Sequence, residues 1–565
     1  MKTNVEFGSW KMPTKADLKA RATTLKAWEL EKQPSTFAPD GVWSNRDTDP
    51  LPMERRTWGF LTWFGYWCSD AVNVTTWQAA GTVIALGLSW REAIPTVFVG
   101  NTLVAVPIVL TGWIGAKHHI PFPVIARASF GYYFSYFAVL SRATLALFWF
   151  SVVSYSGSLA MQQMINAIWP SFRDLHNSLP AGAGITSQGL ISYFLYWLMQ
   201  FPFLMINPEK LGWFFLFKVI TTPLVGLATM GWIVRQANGV GGLWNARPTV
   251  SGEQLTWLWI AAMNAAAAGN ATIAVNSADF SRYARKPGYQ WVQFPLVPVF
   301  STIFAVLGLV STNAAKVVYG RDDMWSPLAI TDMWRSPGGR AAAFFASFCW
   351  TISQIGTNIS CDTISAANDF TTLKPKYINI RRGVIFVSFI GGWALVPWKL
   401  VSAAAGFLNF LSAYAVFLAP ISGIMVGDYW IVRRRQIDIP SLYRPHARYR
   451  YWKGINWRAL LTMLIIVIPN LPGIAKAVNQ GVNLPETSLK FYRLNFIWGC
   501  FGGCLIYSAF HFIVPAKETY ISKTIETDDD ASINDVTTVI VGVPADKGIG
   551  SDAASLEEGK KLAEV

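Results

Sequence analysis

Charged residues are scarce in this sequence, at 14% of its 565 residues, whereas hydrophobic residues make up 52%. A chain of this length and composition is too apolar for a soluble globular protein. Histidine and cysteine are also scarce, with five of each, and neither shows the spacing of a metal site. All the cysteines fall within apolar blocks, where we expect them to act as small packing residues. The sequence therefore predicts no bound metal and no cofactor.

Motifs for common enzyme chemistry are absent as well. The sequence contains no phosphate-binding Walker loop, no nucleophile elbow and no HExxH motif. It also lacks a short hydrophobic core near its start, so no cleaved signal peptide is expected. These absences argue against an enzyme and against an ATP-driven pump. A secondary transporter or a channel remains.

The formal net charge of +14 is the one feature that suggests a nucleic-acid partner. The basic residues, however, lie between the apolar blocks, as the topology signals of membrane proteins do. We therefore expect membrane lipids as partners and no nucleic acid.

Apolar blocks of about 20 residues, the length that crosses a bilayer as a helix, recur along the chain. They predict an all-α membrane protein with twelve transmembrane helices, near residues 58–88, 94–114, 130–168, 188–206, 212–235, 254–279, 290–315, 341–364, 383–397, 400–431, 459–475 and 494–514. The ninth span is the least defined, because Pro397, Trp398 and Lys399 leave only a tight corner before the tenth.

Lysine and arginine predict the orientation. With both termini in the cytoplasm, the inner loops carry more of these residues than the outer loops, and the N-terminal tail, residues 1–57, adds more. The polar C-terminal tail, residues 515–565, is typical of disorder. Its lysines are candidate sites for ubiquitin or trafficking machinery: Lys517, Lys523, Lys547, Lys560 and Lys561.

Two of the predicted spans contain polar or small residues at membrane depth. The first carries Ser69, Asp70 and Asn73, and the sixth carries an Ala/Gly run that ends in Gly269 and Asn270. They are the first helices of two five-helix units, residues 58–235 and 254–431, and paired interruptions of this kind indicate an inverted-repeat transporter with its site at the breaks. The Ala/Gly run alone would also suit close helix packing.

Other polar residues lie within apolar spans. Asp362 follows an apolar stretch in the eighth span, where a carboxylate costs at least about 2.5 kcal/mol unless a ligand, ion or proton uses it. Trp149 lies well inside the third span, which favours stacking on a flat ligand over the commoner role in packing or lipid contact. Arg142, on the same span, and Lys218, in the fifth, are candidate gating or structural residues, although Lys218 could also extend towards an interface.

Four motifs, in order, resemble those of the nucleobase–cation symporter family in its fungal uracil/allantoin permease branch. They are WSNRDTDP at 43–50, FPVIARASFG at 122–131, VNSADFSR at 275–282, and GTNIS at 356–360 continuing to PKYINIRRG at 375–383. The second motif is a loop in that comparison. The resemblance covers about residues 43–515.

The resemblance implies a LeuT-like core of two inverted five-helix repeats plus two peripheral helices, near 459–514, that work by alternating access. It also implies plasma-membrane import of uracil, allantoin, uridine, thiamine or a related heterocycle, mostly with protons. Trp149 stands where the family stacks the substrate ring. Gly269, Asn270 and Ser69 stand at positions that line the pocket.

Two positions depart from the family. Val153 replaces a glutamine that hydrogen-bonds the ring, and Asp362 replaces an asparagine. An amide both donates and accepts, whereas an ionised carboxylate only accepts. Plain uracil transport is therefore in doubt. A cationic vitamin such as thiamine, pyridoxine or nicotinamide riboside and a neutral nucleobase, nucleoside or hydantoin both stay open.

By the same resemblance, a sodium site would use backbone oxygens of Gly65 and Cys68 in the first span. It would also use Ser353, Gly356 and Thr357 in the eighth span. Gly356 stands where a sodium-coupled relative has a hydroxyl, so we expect proton coupling, with Asp362 or Asp369 as the carrier. Asp70 and Asp279 are expected to anchor the helix breaks or the cytoplasmic gate. A receptor that does not transport is the alternative from another class, and a channel would need a continuous polar stripe that the spans do not show.

Overall fold

The computed structural model describes residues 19–20, 22–31, 37–38, 43–71, 73–85, 87–206, 211–321, 324–400, 404–479 and 481–527. These residues form helices joined by short loops. Eight helical stretches among them are long and apolar enough to cross a membrane. The all-α membrane class is therefore confirmed, whereas the count of twelve spans and the repeat arrangement stay predictions.

The helices follow one another with few long connections. The first part of the chain contains α1 (Phe60–Ala71), α2 (Val74–Ala85), α3 (Trp90–His118), α4 (Phe122–Phe130), α5 (Ser135–Ile168), α6 (Ser187–Leu204) and α7 (Gly212–Gln236). The second contains α8 (Gly252–Gly269), α9 (Ala271–Ser281), α10 (Gln293–Tyr319), α11 (Pro327–Asp332), α12 (Pro337–Thr357), α13 (Ile364–Leu373), α14 (Ile380–Phe389), α15 (Pro397–Leu400) and α16 (Ala404–Val426). The last contains α17 (Ile439–Leu442), α18 (Trp457–Val467), α19 (Leu471–Val478), α20 (Glu486–Tyr492), α21 (Asn495–Ile497) and α22 (Gly503–Ile513).

Wider π-helical turns join several of these helices. They span Asn358–Thr363, Ile390–Ala394, Gly427–Val432 and Trp498–Gly502. The first of them links α12 to α13, so the eighth span does not end near residue 364 as predicted but continues to Leu373. Because π turns of this kind are frequent at functional sites, the turn that contains Asp362 is a natural place to look for one.

The structure shows both predicted interruptions. α1 and α2 are separate helices, and the Asn73 side chain stabilises the start of α2, since its Oδ1 accepts from the Thr76 backbone N at 2.8 Å. The Asn73 amide nitrogen donates to the Asp70 carbonyl at 2.6 Å. α8 and α9 meet at Asn270, whose backbone angles (φ −103°, ψ 12°) leave the helical region. A polar residue therefore stands at each break.

The packing of the long helices places these breaks in the interior. α3 packs against α8, α9 and α10, and α5 packs against α6 and α12. All eleven residues of α9 are buried. Polar groups freed at the breaks thus face protein or an enclosed cavity rather than lipid, as membrane proteins require.

The FPVIARASFG motif was expected to be a loop, and this expectation is wrong. Residues 122–130 form α4, and every one of them is buried. Pro123 suits the first turn of a helix because the missing N–H there would have no intrahelical partner. Gly131 ends the helix at φ +81°, which a larger side chain would disfavour. The third span accordingly begins at Ser135 rather than at 130.

The start of the C-terminal tail also differs from the prediction of disorder. Ala516, Thr519 and Ile525 are buried, and the Ile525 backbone exchanges hydrogen bonds with Ile437 and Ile439 at 3.0 and 2.9 Å. Residues 516–527 therefore pack on the helical body. Of the predicted modification sites, Lys547, Lys560 and Lys561 lie outside the described residues, as do residues 1–18 of the N-terminal tail.

Candidate functional site

A central cavity lies where the two interrupted helices meet α5 and the π turn between α12 and α13. Of the polar residues predicted for substrate or cation binding, Asn270 at the second break, Thr357 at the end of α12 and Asp362 in the π turn line it. Asp70, predicted as a gating or structural residue, lines it as well, as do Asn73 and Cys361, which were not predicted as site residues. Trp149, Val153 and Gly269 line it as well.

Aromatic side chains form one wall of this cavity. Trp149 is 9% exposed and meets the Tyr414 ring edge to face, with centroids 6.2 Å apart and planes at 83°. The Tyr414 hydroxyl donates to the Ala268 carbonyl at 2.6 Å, near the end of α8. Tyr414 therefore fixes both the tryptophan and the second break. The sequence offered no signal for it, because a tyrosine within an apolar span is ordinary packing.

Two carboxylates lie at this cavity, one at the end of α1 and one in the π turn. Asp70 is 7% exposed and Asp362 is 5% exposed, and both line the cavity. The Cys361 thiol donates a hydrogen bond to Asp70. Asp362 Oδ2 has no hydrogen-bond partner among the described residues. A ligand that donates a hydrogen bond or carries positive charge would satisfy this oxygen.

The second break is held by a pair of amides that sequence reasoning missed in part. The Asn270 amide nitrogen donates to Asn101 Oδ1 at 2.8 Å, and Asn101 in turn donates to the Val97 carbonyl. Asn101 lies within the apolar α3, so its polarity was the available signal. No described atom lies within 4 Å of a Cβ built on Gly269, which means that this position opens onto the cavity.

Lys218 enters the region expected to hold a sodium ion. Its side chain is completely buried, and its ammonium nitrogen donates to Thr357 Oγ1 at 2.7 Å. A Cβ built on Gly356 would lie 2.9 Å from Lys218 Cδ, so the glycine leaves room for the lysine to pass. Lys218 does not extend towards an interface.

The remaining members of the predicted cation site are described only in part. Ser353 is completely buried on α12, and its carbonyl accepts from the Thr357 hydroxyl at 3.1 Å. Gly65 lies within α1. The side chains of Cys68 and Ser69 lie outside the described part of the structure.

Arg142, Asp279 and Asp369 form a separate buried cluster and are not among the residues that line the cavity. Arg142 Nε donates to Asp369 Oδ2 at 2.6 Å. With its amide nitrogen turned towards the Thr272 carbonyl, Asn276 also accepts from Arg142 Nη1 at 3.0 Å. Asp279 Oδ1 accepts from the Phe122 backbone N at 2.9 Å. The cluster thus ties α4, α5, α9 and α13 together, as expected for structural or gating residues.

Comparison with known proteins gives a consistent picture. A family model described as permease for cytosine/purines, uracil, thiamine and allantoin matches residues 50–499. An uncharacterised permease of Schizosaccharomyces pombe is 38% identical over 89% of this chain and 89% of its own. A uracil permease of Saccharomyces cerevisiae is 31% identical over 86% of this chain and 78% of its own.

A solved structure shares the fold. It is that of Mhp1, a nucleobase–cation-symport-1 family transporter in a closed conformation with bromovinylhydantoin bound. The TM-score is 0.67, and the match covers 87% of this chain and 99% of that chain. Sequence identity is 20%, so the likeness concerns the fold alone.

Proposed function

Because this chain belongs to the family of permeases for cytosine, purines, uracil, thiamine and allantoin, we propose that it imports a small heterocycle across the plasma membrane by proton-coupled alternating access. The cavity between the two helix breaks carries this proposal, since one aromatic wall and two carboxylates converge on it. Trp149 stacks on the flat ring. Asn270 and Asp362 hydrogen-bond its edge.

Proton coupling is supported by Lys218. An ammonium group that donates to Thr357 Oγ1 uses an oxygen that a sodium ion would need, and it repels a second cation at that distance. Asp362 is the proposed proton carrier, because it lines the cavity and retains an oxygen without a described partner. Asp369 is the less favoured carrier, since it is paired with Arg142.

A second substrate class is favoured by a specific observation. Asp70 and Asp362 line the same cavity, and Asp362 Oδ2 has no hydrogen-bond partner among the described residues. Two carboxylates in a low-dielectric site attract a cationic or amine-bearing ring more than a ring whose edge presents carbonyls. A vitamin of the thiamine, pyridoxine or nicotinamide riboside kind is therefore the alternative to a neutral nucleobase, nucleoside or allantoin.

Uptake competition tests both parts of the proposal. The protein is expressed in cells that lack their own heterocycle transporters, and uracil, allantoin, uridine, thiamine and pyridoxine compete for uptake. Trp149→Ala should abolish uptake of whichever compound is carried, while Trp169→Ala, at a tryptophan that is 61% exposed, should not. Surface expression without uptake of any of these compounds would contradict the proposal.

A further inference from the structure

A second cavity lies away from the substrate site, where α22 and the end of the π turn after α16 meet the packed start of the C-terminal tail. It opens to the surface. Its lining includes Arg433, Arg434, His511, Phe512, Thr519 and Tyr520. The described residues that line it include neither aspartate nor glutamate. The cavity therefore presents positive charge and hydrogen-bond donors together.

His511 is the feature that points to a ligand. Its side chain is 1% exposed and lines the cavity, yet neither imidazole nitrogen has a hydrogen-bond partner in the described part of the chain. Buried polar groups without partners are rare and costly, and each one calls for an explanation. The Tyr507 ring, with its centroid 4.6 Å away, supports the imidazole on one side. An N–H donor held in this way suits an anionic oxygen.

Arg433 and Arg434 have different roles at this cavity. Arg433 is buried and fully engaged, because it pairs with Asp428 at 2.8 Å and donates to the Thr519 carbonyl at 2.9 Å. It therefore builds the wall and holds the tail segment in place. Arg434 is exposed and has a left-handed backbone (φ +51°), which is unusual for a residue with a large side chain. Arg434 supplies positive charge at the mouth of the cavity.

The surface beside the cavity is apolar. Phe512 is 67% exposed and Ile513 is 74% exposed, at the end of a helix long and apolar enough to cross a membrane. Near the start of α22, two turns before Phe512, Leu505 is 67% exposed. A soluble anion would gain nothing from these side chains, whereas an acyl chain would cover them. Basic pockets at the ends of membrane helices are typical sites for acidic head groups.

We propose that this cavity binds an anionic phospholipid of the leaflet next to the chain termini. The phosphate accepts hydrogen bonds from His511 and Arg434, and the acyl chains lie along Phe512 and Leu505. Because residues 519 and 520 of the tail form part of the cavity, the bound lipid also holds the start of the tail against the helices.

Thermal unfolding of the detergent-purified full chain tests this proposal. The added probes are dioctanoyl-phosphatidylinositol, dioctanoyl-phosphatidylcholine and inorganic phosphate. We expect phosphatidylinositol to raise the unfolding midpoint more than the other two. Arg434→Gln should reduce that rise to less than half. Arg450→Gln, at another exposed arginine of the same face that does not line the cavity, should keep it.

The His511→Phe variant distinguishes a loss of lipid binding from a loss of folding. It keeps the ring contact with Tyr507 and removes the polar atoms without partners, so the lipid-free midpoint should stay the same or rise. The response to phosphatidylinositol should fall to less than half. Equal responses to phosphatidylcholine, an equal effect of phosphate alone, or an unchanged response in both Arg434→Gln and His511→Phe would each overturn the proposal.

Discussion

Arg142 and Asp369 form an ion pair between α5 and α13 in which both side chains are completely buried. Removing one partner would leave the other as an uncompensated charge inside the protein. We expect Arg142→Met or Asp369→Leu alone to destabilise the protein by about 3–5 kcal/mol. The double variant should recover most of that loss, because it removes both charges of the pair. Thermal unfolding midpoints of the purified variants measure this, and a double variant as unstable as the sum of the singles would contradict it.

Lys218 provides the next prediction. Lys218→Met keeps the length of the side chain and removes its charge, so the Thr357 hydroxyl loses its donor. We expect heterocycle uptake to fall by about tenfold or more and to become sensitive to external sodium, because the ammonium group no longer keeps a cation away from Thr357. Uptake rates in intact cells with and without sodium provide the measurement. Lys117→Met, at an exposed lysine, serves as the control. Lys218→Met uptake that matches the wild type in rate and in its response to sodium would contradict this role of Lys218.

The substrate class depends on Asp362 and Val153. Changing them to Asn and Gln together adds donors at the cavity wall and removes one negative charge. Each new hydrogen bond is worth about 1 kcal/mol, so competition by uracil or allantoin should improve about tenfold or more. Competition by cationic vitamins should weaken in parallel. Asp332→Asn, at a partly exposed partner of Arg173, controls for the loss of an acid. If the order of competitors stays unchanged, these residues do not select the substrate.

Asp49, in the segment before α1, predicts that the stability of the folded protein depends on pH. Burial raises the pKa of this carboxyl to about 6, although the Ser44 hydroxyl donates to it and Arg282 lies nearby. The folded state then holds a proton that the unfolded state releases above pH about 4. Stability should therefore fall by on the order of 3 kcal/mol as pH rises from about 4 to 6, and then level off.

Asp49→Asn removes this contribution. Its unfolding midpoint should change less between pH 4 and 6 than that of the wild type, and the two should run parallel above pH 7. Because the Thr48 carbonyl accepts from Tyr443 at 2.9 Å, loosening of residues 43–51 should also appear as faster proteolysis at the higher pH. Identical pH profiles for the two proteins would show that Asp49 does not titrate in this range.

Gly308 marks a close approach between α10 and α2. A Cβ at this position would lie 2.2 Å from the Trp77 carbonyl oxygen, a backbone atom that can move only with its helix. We expect Gly308→Ala to destabilise the protein by about 1–3 kcal/mol. Gly231→Ala, at a helical glycine with no described atom within 4 Å of its Cβ, should be neutral or slightly stabilising. Equal expression and stability of the two variants would contradict this packing.

The sequence predicted the helix breaks because a polar residue stands at each of them. Asn73 and Asn270 interrupt apolar runs, and the structure shows the chain leaving its helices at both. Asp362 and Trp149 were identified for a similar reason, since a lone polar or aromatic residue at membrane depth is unusual. The structure brings both to one cavity.

Other features depend on tertiary contacts that no local pattern encodes. α4 was expected to be a loop from the family resemblance, whereas the structure buries every residue of this helix. The position of the Lys218 side chain depends on the space beside Gly356, which lies on a different helix, α12. Residues 516–527 are polar, yet they are held by Arg433 and by backbone hydrogen bonds with residues 437 and 439.

The most direct test is uptake by the purified protein in liposomes under an imposed ion gradient. Liposomes acidic outside and free of sodium should accumulate the heterocycle identified by competition, and collapse of the proton gradient should abolish accumulation. Asp362→Ala should abolish it too. Accumulation driven by a sodium gradient at equal pH, or binding without any accumulation, would contradict the account of this chain as a proton-coupled transporter.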